Sequence, residues 1–183
     1  MDSWSSLGGH VRKLLAAAGS LALAGLAAGC SSSATVVNHP VGASSGPLAR
    51  VADTLDLQTQ AGRHFEMTLT KVVDHAHGTN NSSPGHNRRF IAVLFAVKNT
   101  SDQALNADGN ADANLVGSNG QVYLPAHQSL RECGSQTTQF QLAGGKSGNS
   151  CVAFEVNNAV SIAKVQFFPA AGSAKDYGEW LVH

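Results

Sequence analysis

The residues best suited to chemistry lie in one short stretch, Asp74-His75-Ala76-His77, with His86 beyond a Gly/Asn/Ser/Pro loop. In an extended chain His75 and His77 project to the same side, so two imidazoles could meet one metal ion. His86 or Asp74 could complete a copper or zinc site. The competing account is a solvated loop, because the pattern is short and the chain has eight histidines.

Other chemistry finds less support. Gly145-Lys146-Ser147 looks like a phosphate-binding loop, but that motif needs glycine five positions earlier, where Phe140 stands. No G-x-S-x-G elbow is present. Glu66, Glu132, Glu155 and Glu179 form no obvious carboxylate pair for glycoside chemistry. No cofactor signature appears beyond the copper or zinc option, and no acid–base constellation marks an enzyme. Tyr123, Tyr177 and Trp180 are the candidate binding aromatics, with core packing the expected role for Trp180.

The three cysteines divide by position. Arg12 and Lys13 precede Leu14–Ala28, a 15-residue uncharged stretch rich in Ala, Leu and Gly. That is too short to span a bilayer and suits the apolar region of an export signal. Ala27-Ala28-Gly29 runs into Cys30, and Ser31-Ser32-Ser33 follows. Small residues before a cysteine mark a lipoprotein signal, with Cys30 lipidated after cleavage. Leu26 lies one position further from Cys30 than in the commonest pattern. Cys133 and Cys151 remain, and an even pair in an exported domain is most simply a disulfide. A metal pair or reactive thiols are the alternatives. The bridge is expected near a sheet surface or sandwich end.

The elements behind these residues follow from periodicity. Residues 31–49 are rich in Ser, Ala and Gly, contain Pro40 and Pro47, and read as a flexible tether. From Arg50 onward the period is two. Leu55/Leu57, Phe65/Met67/Leu69 and Ala163/Val165/Phe167 alternate with polar residues, Val152/Phe154/Val156 alternate with Ala153 and Glu155, and Arg89–Val97 is nearly all apolar, as in a central strand. Asn119-Gly120 predicts a hairpin with both residues at positive φ, and Gly144–Gly148 predicts a turn. No helical stripe appears after residue 50. Seven or eight short strands in about 130 residues predict an all-β sandwich. The expected organisation is signal helix 1–29, lipidated Cys30 and tether 30–49, and domain 50–183.

Charge narrows the partners. The chain has 12 basic and 12 acidic residues. Cleavage removes Asp2, Arg12 and Lys13, leaving 10 basic and 11 acidic. That argues against nucleic acid. The expected partners are the membrane, through the lipid, and another envelope protein or a small ligand.

Several segments together resemble a bacterial, actinobacterial-type family of Ig-like lipoproteins, which shares its fold with the mycobacterial immunoprotective extracellular antigen. They are Ala52-Asp53-Thr54-Leu55, Arg89–Val93 leading to Val97–Ser101, the hairpin Leu115–Tyr123, and the glycine-rich turn before Cys151–Val156. The resemblance covers about residues 50–170. It implies an immunoglobulin-like antiparallel sandwich and a non-enzymatic binding module, and it supplies no catalytic residues. Asn157-Asn158 departs from it where a proline is expected.

Overall fold

Alternating side chains commit this chain to sheets whose apolar faces must be covered. In the computed structural model, residues 35–36, 48–169 and 176–183 are described. In chain order the strands are β1 (Thr35–Val36), β2 (Ala49–Arg50), β3 (Thr54–Gln58), β4 (His64–Ala76), β5 (Arg88–Asn99) and β6 (Leu105–Asp108). They continue with β7 (Ala113–Gly117), β8 (Val122–Tyr123), β9 (Gln139–Leu142), β10 (Ser147–Asn157), β11 (Ile162–Phe167) and β12 (Asp176–Leu181). A single helical turn, α1 (Gly109–Asp112), and a 3-10 turn at Arg131–Cys133 are the helical pieces among the described residues.

One sheet is antiparallel in the order β10-β5-β4-β3. The other runs β1-β12-β11-β7-β8, with β2 also on β12, and β6 pairs with β9 as a separate ribbon. The facing sides enclose Leu55, Phe65, Met67, Ile91, Phe95, Phe154, Val165, Phe167 and Trp180, all buried. Phe167 packs edge-on between Phe65 and Phe95, with ring centroids 6.5 and 5.7 Å away. Trp180 fills the core as expected and donates its indole N–H to Asp53 O at 3.0 Å.

The apolar run of β5 has a structural reason. Ile91, Val93, Phe95 and Val97 face the main core, while Phe90 and Ala92 join a second cluster with Ala76, Leu130, Cys133, Cys151 and Ala153. The second cluster lies on the outer side of the first sheet, under the segment 124–138. The central strand is therefore covered on both faces.

Three local expectations differ from the structure. Ile162, not Ala163, lies on the buried face of β11, because a bulge between Ile162 and Lys164 shifts the alternation. In the hairpin only Gly120 takes positive φ, at 79°. Gly120 N–H bonds Gly117 O, and Asn119 Oδ1 accepts from Gln121 N, so the longer turn needs one left-handed residue instead of two. Within the expected tether, Thr35–Val36 pairs parallel with Asp176–Tyr177, and Ala49, with Arg50 at the expected domain start, pairs with Trp180–Leu181. The open edge of β12 offers N–H and C=O groups that these residues satisfy, and Ala49 is buried. The signal segment 1–29 and Cys30 lie outside the described residues. No helix among the described residues is long and apolar enough to cross a membrane.

Candidate functional site

The register of β4 against β5 shifts between Asp74, opposite Ile91, and Ala76, opposite Phe90. His75 is the extra residue and takes a φ of 56°. Histidine tolerates this left-handed conformation better than most side chains. The bulge breaks the alternation that would have aimed His75 and His77 together. His75 N–H bonds Asp74 Oδ1 at 2.8 Å. His77 turns to the 3-10 turn instead: its Nδ1 is 2.8 Å from Glu132 Oε1, and its backbone N–H bonds Glu132 Oε2 at 3.0 Å. His86 is exposed in the intervening loop. The expected convergence of His75, His77 and His86 is therefore not seen. Among the described residues, no group of three or more His, Cys, Asp or Glu side chains is placed to hold a metal ion.

The bulge instead completes a different arrangement. Arg89 is buried at this end of the sheet pair. Its Nε donates to Asp74 Oδ1 and its Nη2 to Asp74 Oδ2 at 3.3 Å. Its remaining donors reach Asn157 O at 2.6 Å and Val160 O at 2.9 Å. A buried cation needs such partners. One guanidinium thus joins β4, β5 and the turn after β10. Burial pushes the Asp74 carboxyl up, but the Arg89 hydrogen bond and charge, with the His75 amide, outweigh it and hold the carboxyl below its ordinary value.

Beside this pair lies a cleft of about 480 Å³. Val72, Val160, Ile162 and Val182 supply apolar wall, and Asp74, His75 and Arg89 supply polar edge. The cleft can receive a small group or a partner's side chain. Its carboxylate is kept ionised by Arg89 and is a poor general base near neutral pH. Sequence reasoning did not single out Arg89. The available signal was a cation, next to Arg88, directly at the head of a long apolar run, with Asp74 as a candidate counter-charge.

The cysteines meet their expectation. Cys133 and Cys151 form a disulfide, with Cα atoms 5.4 Å apart. Cys151 points away from Val152, so the bridge lies on the outer face of the first sheet and fastens the 124–138 segment there. Ala126 N–H to Ala153 O, Thr79 N–H to Ser129 O and Arg131 N–H to His77 O add backbone bonds. Burial raises the Glu132 carboxyl, but hydrogen bonds from the His77 side chain and backbone, and from its own amide, hold it below its ordinary value. Of the candidate aromatics, Trp180 and Tyr123 are buried, and Tyr177 is half-buried and stacked on Phe168 at 4.6 Å. The large apolar side chains that are exposed among the described residues are Leu48, Val122 and Leu124.

The chain is similar in structure to MPT63, a secreted protein of Mycobacterium tuberculosis. The likeness covers 78% of this chain and 98% of that one, with a TM-score of 0.53 at 14% identity. The fold is an immunoglobulin-like β-sandwich. A second similar structure is YcdA, a candidate lipoprotein of Bacillus subtilis, at 16% identity and a TM-score of 0.52. That likeness covers 69% of this chain but only 38% of YcdA. At such identities the shared property is the fold. No family model matches the chain, and no curated protein matches it.

Proposed function

We propose that this protein is a bacterial lipoprotein of the actinobacterial type, an Ig-like module anchored through Cys30 on the extracytoplasmic side of the membrane. It is a binding module without catalytic chemistry, and it meets another envelope protein or a small ligand. The observation that carries the reading is the sequence Ala27-Ala28-Gly29-Cys30 directly after the uncharged Leu14–Ala28 stretch. The Cys133–Cys151 disulfide supports it independently, since such bridges persist on the oxidising side of a membrane. The cleft at Asp74 and Arg89, with the adjoining 77–87 loop, is the contact region this reading favours.

The test is fractionation of cells that express the native chain or its Cys30→Ala variant. The native protein is expected in the membrane fraction and the variant outside it. A variant that remains with membranes would overturn the anchor.

A further inference from the structure

We infer that the anchored sandwich stands on one particular end, with the Asp74–Arg89 cleft held away from the bilayer. The inference rests on lipidation of Cys30 and deepens that reading by fixing which surface is left free for partners.

The two ends are defined by the strand registers. One end carries the β3–β4 turn at 59–63, the segment 100–104 and the turn 143–146, because Gln58 pairs with His64, Phe65 with Asn99, and Lys98 with Ser147. The Phe65–Phe167 contact brings the end of β11 to this same end. Phe167 pairs with Gly178, so β12 begins here. Pro169, just past β11, shares a small cleft with Thr59 and Arg63. The opposite end carries the Asp74–Arg89 cleft, with Ser161, Val182 and His183 on its wall. The hairpin turn joins it there, through Ser118 N–H to Ser161 O at 2.8 Å.

The anchor enters at the first end. Thr35 pairs with Asp176 and Val36 with Tyr177, in parallel, so the chain meets the start of β12 at Thr35. Cys30 is five residues before Thr35. Five residues of fully extended chain span at most about 18 Å. From the level of Asp176 to that of His183 is β12 and the two residues after it, seven extended steps or about 23 Å. An inverted molecule would need the chain from Cys30 to reach past this second distance, and it is too short. The pairing of Thr35–Val36 fixes the point of entry, and the end with the 59–63 turn faces the lipid. The half-buried stack of Phe168 on Tyr177 lies at this end too. Such rings, apolar with one polar tip, suit a headgroup layer.

The test uses the mature, full-length lipidated protein in vesicles of phosphatidylglycerol and phosphatidylethanolamine that carry a headgroup energy acceptor. A donor dye is attached at Ala61→Cys or at Ser118→Cys, both exposed positions at opposite ends, with the native disulfide intact. Loss of donor emission is expected to be greater at position 61 than at position 118. Adding Thr35→Pro together with Val36→Pro, which removes both backbone N–H donors of β1, should narrow the gap by freeing this point of entry. Equal losses, as for a molecule lying on its side, or a greater loss at 118 would overturn the orientation while leaving the anchor in place. Protein that carries no lipid and fails to float with vesicles would instead overturn the anchor reading, and the orientation with it.

Discussion

Arg89, buried between the sheets, grips the half-exposed carboxylate of Asp74 across the β4–β5 pair. The same guanidinium holds two carbonyls, one at the end of β10 and one in the turn after it. One side chain therefore fixes the bulge at His75, the mouth of the cleft and the turn that faces it.

Asp74→Asn should cost about 2 kcal/mol, because it leaves a buried guanidinium short of its counter-charge. Urea unfolding of the two proteins gives the difference. No loss of stability would show that the carbonyls alone satisfy Arg89.

Acid should act through the same pair. The Asp74 carboxyl is depressed in the folded protein, despite burial, by Arg89 and the His75 amide. Its stabilising contribution is thus complete above the ordinary carboxylate range and is lost as pH falls through the lowered native value. Glu132, depressed by its bonds with His77, behaves alike. Thermal melts from pH 7 to pH 2 should show a steeper acid loss for the native chain than for Asp74→Asn. Parallel curves would contradict this.

The period-two runs revealed the strands, and the unbroken apolar run of β5 revealed a strand covered on both sides. Cysteine parity revealed the bridge. The cleft was not legible, because it depends on one extra residue in β4. Nothing in Asp74-His75-Ala76-His77 distinguishes a regular strand from a bulge; the register against β5 decides it, and with it the direction of each imidazole. The pairing of Thr35–Val36 was hidden for a similar reason. The composition of 31–49 describes a tether, and only the open edge of β12 gives it a place to pair.

Removing the bridge with Cys133→Ala and Cys151→Ala should lower stability by about 3 kcal/mol in the chain-entropy model. Hydrogen exchange should quicken first at Ala126, Thr79 and Arg131, whose amide bonds tie the outer segment to its surroundings. Amides of β5 should remain protected until global unfolding. Uniform loss of protection would contradict a locally fastened cover.

The separation of His75, His77 and His86 predicts that isothermal titration of the domain with zinc or copper gives no saturable heat assignable to this loop. Saturable binding that disappears in a His75→Ala/His77→Ala variant would show that the loop rearranges around a metal.

The central claim concerns Cys30, and intact mass spectrometry of the mature protein tests it most directly. The account predicts a chain that begins at Cys30, carries diacylglycerol on that residue, and is two hydrogens lighter for the Cys133–Cys151 bridge. A mature chain cut elsewhere, or one with an unmodified Cys30, would contradict it.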